Sequence, residues 1–92
     1  MDRPVGEYVV YILRCADGSL YTGCTNDLKR RLKAHGSGRG AMYIRSRLPV
    51  ELVWWEPAAD RSAALRREAA IKALPRTEKL KLLAASPPGL SP

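Results

Sequence analysis

The chain has 92 residues, of which 46% are hydrophobic and 27% are charged, which suits a single domain with a small core. Sixteen Lys and Arg residues against nine Asp and Glu residues give a formal net charge of +7. The uncharged runs are far shorter than the roughly 20 apolar residues of a membrane-spanning helix, and residues 1–6 lack the apolar segment of a signal peptide. The composition therefore predicts a cytoplasmic protein without a membrane partner.

The basic excess is concentrated in one stretch of the chain. Residues 28–50 contain no acidic residue, so this stretch can attract a polyanion, of which nucleic acid is the commonest. The alternative is a surface that only keeps the protein soluble. Besides Arg31, the expected nucleic-acid contacts are Lys29, Arg30, Lys33, Arg39, Arg45 and Arg47.

The two cysteines, Cys15 and Cys24, allow one disulfide at most, and neither has a partner at the spacing of a zinc site. A structural metal held by thiolates is therefore not expected. We interpret both cysteines as small, half-buried apolar residues in a reducing compartment.

Residues 8–14 and 19–24 are rich in β-branched and aromatic side chains and predict a β-hairpin that turns at Gly18. A two-residue Asp-Gly turn would put Tyr11 and Tyr21 on opposite faces of the sheet. A three-residue loop that ends at a left-handed Gly18 would put both on the same face. The sequence leaves both turns open, and we prefer the second because it brings the two hydroxyls together.

The next segment, residues 27–35, predicts a helix that Thr25 or Asn26 can cap. Two leucines share its i, i+3, i+4, i+7 stripe with two polar residues, Arg31 and His35. Because an amphipathic helix buries this stripe, we expect Arg31 and His35 to turn toward its buried side.

The rest of the chain predicts, in order, a weak helical turn, a third strand and two helices. These elements are residues 41–47, 50–56, 61–74 and 77–84. Trp54 and Trp55 cannot both face inward on the strand, so we expect one in the core and the other covered by a helix or partly exposed. One domain over residues 1–85 and a disordered tail over residues 86–92 complete the prediction.

Several polar side chains of these elements suggest chemistry. An arginine is rarely buried without an anion, so Arg31 is expected to pair with Glu68 or with a substrate phosphate. His35, the only histidine, can bond a phosphate or a tyrosine. Glu68 falls on the apolar side of its helix and can pair with an arginine or bind Mg²⁺. Tyr11 and Tyr21 are either packing residues or, beside a cation, a base for water.

The order of these residues resembles the GIY-YIG nuclease family. Val9-Val10-Tyr11 stands where the family has Gly-Ile-Tyr, and Tyr21-Thr22-Gly23 stands where it has Tyr-Ile-Gly. A capped helix with Arg31 and a later helix with Glu68 follow, so the similarity covers nearly the whole chain and is to the small stand-alone bacterial members. The family's frequent late asparagine has no match, since Asn26 is the only asparagine.

The resemblance implies an α+β fold, a three-stranded antiparallel sheet flanked by helices, and hydrolysis of a phosphodiester with one divalent metal, Mg²⁺ or Mn²⁺. It also implies site roles. Tyr11 and Tyr21 would orient or deprotonate the water, and Arg31 would hold the scissile phosphate. His35 would support the phosphate or a tyrosine, and Glu68 would bind the metal. No small-molecule cofactor is expected.

Three functions compete. The first is a metal-dependent endonuclease in DNA repair or nucleic-acid processing, with a preference for particular structures or single strands and for DNA over RNA. The second is a nucleic-acid-binding module of the same fold that cuts weakly or not at all, which the missing asparagine favours. The third is a basic structural protein without nucleic-acid function. The complete set of Tyr11, Tyr21, Arg31 and Glu68 favours the first.

Overall fold

The computed structural model describes residues 8–39 and 42–85, which form a three-stranded antiparallel sheet with helices on both sides. The elements in chain order are β1 (Tyr8–Cys15), β2 (Leu20–Thr25), α1 (Leu28–Gly36), α2 (Met42–Arg45), β3 (Val50–Ala58), α3 (Arg61–Lys72) and α4 (Arg76–Ala84). The predicted α+β fold is confirmed. The predicted tail, residues 86–92, and residues 1–7 of the predicted domain lie outside the described residues.

The hairpin of β1 and β2 has the three-residue loop. A backbone hydrogen bond of 2.9 Å from the N–H of Cys15 to the carbonyl of Ser19 closes it. Gly18 has a φ of 85°, a left-handed conformation that glycine adopts without strain. The resulting register puts Tyr11 and Tyr21 on the same face of the sheet, as the preferred alternative predicted.

β1 is the middle strand, in the order β2-β1-β3, so helices cover both of its faces. Its residues 10–13 are each at most 1% exposed, which accounts for the unbroken apolar run in the sequence. β3 lies at an edge of the sheet, where Pro57 is tolerated because only one side of the strand pairs with a neighbour.

The sheet separates two apolar cores. On one face, Trp54 packs with Ala64 and Ile71 of α3. The helices α1 and α2 cover the other face, where Ile44 of α2 is fully buried. Trp54 is 3% exposed, while Trp55 packs against the second core and is partly exposed. This confirms the prediction that only one tryptophan is buried in a core.

Asp27, rather than Thr25 or Asn26, caps α1. Its side chain accepts a hydrogen bond from the backbone N–H of Arg30 at 3.2 Å. Thr25 Oγ1 accepts from the N–H of Asp27 at 3.0 Å. The predicted cap was wrong because the Thr25 hydroxyl stabilises the turn before the helix, which shifts the helix start by one residue.

The other helices begin and end close to their predicted limits. α3 ends at Lys72, two residues short of the prediction, because Ala73 is its C-terminal cap and Pro75 begins the lead into α4. None of the helices formed by residues 8–39 and 42–85 is long and apolar enough to cross a membrane.

Candidate active site

A buried hydrogen bond joins the middle strand to the first helix. The Tyr11 hydroxyl lies 3.0 Å from Nε2 of His35, and the two residues are 1% and 0% exposed. Tyr11 faces α1 because successive side chains of β1 alternate between the two cores, and His35 lies in the last turn of α1 on its buried side. Of the two partners expected for His35, a phosphate or a tyrosine, the tyrosine is present.

Gly23 makes room for the Tyr11 ring. The two residues are paired across β1 and β2. A Cβ added at Gly23 would lie 2.6 Å from the Tyr11 hydroxyl oxygen and 3.2 Å from Cε2 of Tyr21, both shorter than an ordinary van der Waals contact. A side chain at this position would therefore displace Tyr11 from His35.

Tyr21 completes an aromatic cluster with Tyr11 and His35. Its ring meets the imidazole edge-on with centroids 5.6 Å apart, and the Tyr11 ring does so at 6.1 Å. Edge-on contacts of this kind add to the stability of a core beyond the area that they bury. The structure thus brings together the three aromatic residues that the sequence placed at one site.

Arg31 lies at the surface, so the expectation that α1 turns it toward the buried side was wrong. It stands at the margin of the apolar stripe, where the long side chain reaches solvent while the leucines and His35 fill the space against the sheet. Within the part of the chain that the structure describes, Arg31 forms no ion pair, and the alternative of a pair with Glu68 is not realised.

Burial favours the neutral forms of His35 and Tyr11. Burial and then the charge of Arg31 lower the pKa of His35 below its ordinary value. Burial and then Tyr21 raise the pKa of Tyr11 well above its ordinary value, while Arg31 acts in the opposite direction. Arg31 is therefore close enough for its charge to act on both groups, although its side chain is exposed.

The second ring nitrogen of His35, Nδ1, has no hydrogen-bond partner among the described residues. The direction of the bond to Tyr11 follows the tautomer of the imidazole. With the proton on Nε2, the imidazole donates to the Tyr11 oxygen, and with the proton on Nδ1, the Tyr11 hydroxyl donates to Nε2. In both tautomers the bond holds the Tyr11 oxygen beside the imidazole.

Glu68 lies on α3, on the opposite face of the sheet from α1. Its side chain is 17% exposed, and its carboxylate accepts from Nζ of Lys72 at 2.9 Å and from Sγ of Cys24 at 3.2 Å. Cys24 belongs to β2, an edge strand. The charge of Glu68 contributes to the raised pKa of Tyr11, although less than burial and Tyr21 do, so the two halves of the candidate site influence each other electrostatically across the sheet.

Cys24 is the residue of this site that sequence reasoning missed. It is a free, half-buried cysteine, as expected, but its thiol donates to Oε1 of Glu68. Burial and then this hydrogen bond raise the pKa of Cys24 to about 11, so it is a protonated thiol at neutral pH. No local pattern signals the contact, because it depends on where α3 packs on β2.

The surroundings of Glu68 suit a weakly bound hard cation better than a metal ion that is held by protein ligands alone. Among residues 8–39 and 42–85, no group of three or more His, Cys, Asp or Glu side chains could hold a metal. Mg²⁺ is often held by only one or two carboxylates, because water and substrate oxygens complete its octahedron. Lys72 occupies Oε2 of Glu68, but its side chain is 54% exposed and can swing into solvent.

The basic residues of the acid-free stretch differ in their surroundings. Five are exposed: Lys29, Arg30, Lys33, Arg39 and Arg45. Arg47 is instead paired with Asp17 in the hairpin loop, with Nε 3.0 Å from Oδ2. An open pocket beside this surface is lined by Thr25, Asp27, Arg30, Arg31 and Ala34. The contact of these residues with nucleic acid stays a prediction.

The chain is similar in sequence to a catalytic domain family and to several bacterial proteins. A family model described as the GIY-YIG catalytic domain matches residues 7–81. The UPF0213 protein of Desulfotalea psychrophila is 52% identical over 91 residues, which cover 98% of this chain and 81% of that protein. The UPF0213 protein of Oceanobacillus iheyensis is 51% identical over 77 residues, which cover 84% of this chain and 90% of that protein.

Two solved structures resemble the chain in fold as well as in sequence. The solution NMR structure of a UPF0213 protein from Bacillus halodurans has a TM-score of 0.59 and 42% identity, and the match covers 90% of this chain and 88% of that one. The solution NMR structure of a protein from E. faecalis has a TM-score of 0.60 and 40% identity, covering 92% of this chain and 90% of that one. Both support the arrangement of sheet and helices described above.

Proposed function

Since the chain belongs to the GIY-YIG catalytic domain family, we propose that it is a metal-dependent endonuclease that hydrolyses nucleic-acid phosphodiesters in DNA repair or nucleic-acid processing. Its preferred substrate is DNA over RNA. Structure or single-strandedness would select the substrate more than base sequence does, because a net charge of +7 attracts any backbone. We place the activity in the cytoplasm, in keeping with the free thiols of Cys15 and Cys24.

The observation that carries the proposal is the buried hydrogen bond of 3.0 Å between Tyr11 and His35. Residues in a packed core hold their orientation, so the Tyr11 hydroxyl is fixed before any substrate arrives. A second tyrosine, Tyr21, touches the same imidazole, and the charge of Arg31 acts on the pair. This is a preorganised polar site inside an apolar core, which is the arrangement that transition-state stabilisation requires.

We assign the attacking water to Tyr11 and Tyr21. The raised pKa of Tyr11 keeps it a phenol in the free protein, so its first role is to orient the water through a hydrogen bond. It can accept the water's proton only when further positive charge lowers its pKa, as Arg31 already does in part. His35 is the positioning residue, since its Nε2 is hydrogen-bonded to the Tyr11 oxygen at 3.0 Å.

Arg31 would hold the scissile phosphate. Its side chain is exposed and forms no ion pair with the described residues, so its guanidinium can donate two parallel hydrogen bonds to phosphate oxygens. A buried arginine would need an anion from the protein, whereas an exposed one can take its anion from the substrate. The fixed charge then stabilises the negative charge that grows on the phosphate during attack.

Glu68 would hold one Mg²⁺ or Mn²⁺ through a carboxylate oxygen. The chemistry that such an ion supplies when bound is polarisation of the phosphate and stabilisation of the leaving oxygen. For the ion to bind, the ammonium group of Lys72 would have to move away from Oε2 of Glu68 into solvent. The thiol of Cys24 would keep Oε1 in place.

A nucleic-acid-binding module of the same fold that does not cut is the second candidate. The pair between Lys72 and Glu68 favours it, because an ammonium 2.9 Å from the carboxylate neutralises the group that would hold the metal. Binding through the exposed basic residues would persist in this case and would weaken steeply with added salt.

Incubation of the purified protein with flapped, bubbled and single-stranded DNA and with RNA, in Mg²⁺, Mn²⁺ or chelator, tests the proposal. We expect cleavage that requires the metal ion. Glu68→Gln keeps the size of the side chain but removes its charge, and it should abolish cleavage. Glu78→Gln is the matched control, because Glu78 is an exposed carboxylate on α4, and it should cut like the wild type.

Cleavage that persists in Glu68→Gln, or in chelator, would refute the metal role of Glu68. Binding without cleavage in every condition would support the non-cutting module instead. A protein that neither binds nor cuts any of the nucleic acids would refute both candidates.

A further inference from the structure

We propose that the pocket at the start of α1 holds a second backbone phosphate of the substrate, next to the phosphate at Arg31, with Arg30 as its main ligand. The inference rests on the proposed function, since it takes Arg31 as the ligand of the scissile phosphate. The inference adds a second site, which would bind the nucleic-acid strand at the phosphate next to the one that is cut.

Two neighbouring arginines of α1 line the pocket. It lies between the end of β2 and the first two turns of α1, and its lining includes Thr25, Arg30, Arg31 and the small side chain of Ala34. Successive residues of an α-helix point about 100° apart around the axis. The guanidinium groups of Arg30 and Arg31 therefore leave the helix in different directions and can bind separate phosphates.

The charges that line the pocket leave it positive. They are the guanidinium groups of Arg30 and Arg31 and the carboxylate of Asp27. Asp27 already accepts from the backbone N–H of Arg30 at 3.2 Å, so the end of the helix is capped and the side chains must bind the anion. Among the described residues, neither arginine forms an ion pair. Two cations and one carboxylate give the lining a net charge of +1, which attracts the phosphate backbone.

Thr25 adds a neutral donor. It is 8% exposed, and its Oγ1 accepts from the N–H of Asp27 at 3.0 Å, which leaves the hydroxyl proton for another acceptor. A phosphodiester suits this set, because it carries one negative charge and two unesterified oxygens that can accept from a guanidinium and a hydroxyl. The contact would read the backbone and not the bases, as a nuclease selective for structure requires.

Binding of thymidine 3′,5′-bisphosphate and of thymidine 5′-monophosphate, measured by NMR titration in chelator, tests the second site without any bond being cut. We expect the wild type to prefer the bisphosphate by about tenfold, the effect of one further charge-assisted contact. Arg30→Ala should remove this preference and leave the affinity for the monophosphate unchanged. Arg66→Ala is the control, because Arg66 is an exposed cation on α3 that lies outside the pocket lining, and it should keep the preference.

A preference that survives Arg30→Ala would overturn the second site, as would equal affinities of the wild type for the two nucleotides. Both substitutions change exposed side chains, and the dispersion of the amide spectrum shows whether each variant is folded. Failure of the nuclease itself gives a different result. A bisphosphate preference that depends on Arg30, in a protein that cuts no nucleic acid, would keep the second site and refute the catalytic proposal.

Discussion

The two halves of the candidate site are built in opposite ways. In the aromatic half, Tyr11 and His35 are 1% and 0% exposed, and packing on every side fixes their hydrogen bond. In the polar half, the Glu68 and Lys72 side chains are 17% and 54% exposed, and water can replace the contact between them. Groups that must keep one geometry thus lie in a core, and groups that must exchange partners lie near solvent. Changes in the first half should act on stability, and changes in the second on ligand affinity.

Gly23→Ala should have the largest effect, because it forces the aromatic half apart. The added methyl group would lie 2.6 Å from the Tyr11 hydroxyl oxygen, so the ring must move and its hydrogen bond to His35 is lost. Overpacking and an unpaired buried polar group together cost roughly 2–4 kcal/mol. We expect a loss of that size in the free energy of unfolding, measured by urea denaturation, together with loss of cleavage.

Gly36→Ala is the control for this prediction. Gly36 is the last residue of α1, and nothing lies within 4 Å of a Cβ added there. Replacing a helical glycine with alanine in open space should leave the stability unchanged or raise it by up to about 1 kcal/mol. Equal losses of stability at Gly23 and Gly36 would contradict the close-packing explanation.

The stability of the aromatic half should depend on pH through His35. Burial and Arg31 lower the pKa of His35 in the folded protein, whereas the unfolded chain keeps the ordinary value of about 6.5. On acidification the unfolded chain takes up the proton first. The free energy of unfolding is therefore highest above about pH 6.5 and falls as the pH drops below it, by at most about 1.4 kcal/mol per pH unit.

Urea denaturation of the wild type and of His35→Gln at about pH 7.5 and about pH 5.5 measures this dependence. The variant lacks the titrating group and should lose less stability between the two pH values. If the two proteins lose the same amount, the acid sensitivity arises from carboxylates elsewhere in the fold.

The sequence predicted the aromatic half better than the polar half, for physical reasons. Alternation along a strand limits Tyr11 and Tyr21 to two arrangements, and the helical period puts His35 on the buried side of α1. The same period cannot distinguish Arg31 from His35, since both belong to the stripe. What separates them is side-chain length, because an arginine at the margin of the stripe can reach water and an imidazole cannot.

The polar half depends on contacts of different range. The pair between Glu68 and Lys72 spans four residues of one helix, a spacing that can be recognised in a sequence. Cys24 lies 44 residues before Glu68, and the two meet only because α3 packs on β2. No periodicity within either segment specifies that meeting, so this contact could be found only in the folded structure.

Lys72→Met should tighten metal binding and leave stability almost unchanged. The hydrogen bond to Glu68 raises the pKa of Lys72, so in the free protein its ammonium group competes with a metal ion for the carboxylate. An exposed ion pair contributes roughly 0.2–1 kcal/mol, and its removal should lower the dissociation constant for Mn²⁺ by a factor of about 1.4 to 5. Titration with Mn²⁺ followed by electron paramagnetic resonance measures the free ion directly.

Lys81→Met is the matched control, because Lys81 forms a similar surface pair with Glu78 at 3.2 Å on α4. It should leave the affinity for Mn²⁺ at the wild-type value. An unchanged affinity in Lys72→Met as well would mean that Lys72 does not compete with the ion at Glu68.

Substitutions at Cys24 should have the smallest effect, and they show whether the polar half needs the thiol as a donor or only as a filler of space. Cys24→Ser keeps a donor for Oε1 of Glu68, so the affinity for Mn²⁺ should match that of the wild type. Cys24→Val keeps the apolar contacts but removes the donor that holds Oε1 of Glu68 in place. Because the carboxylate is then less well oriented, it should bind Mn²⁺ about twofold more weakly, as expected for the loss of a weak hydrogen bond. If serine weakens binding and valine does not, the thiol acts through packing, and the polar half resembles the aromatic half more than the exposure of Glu68 suggests.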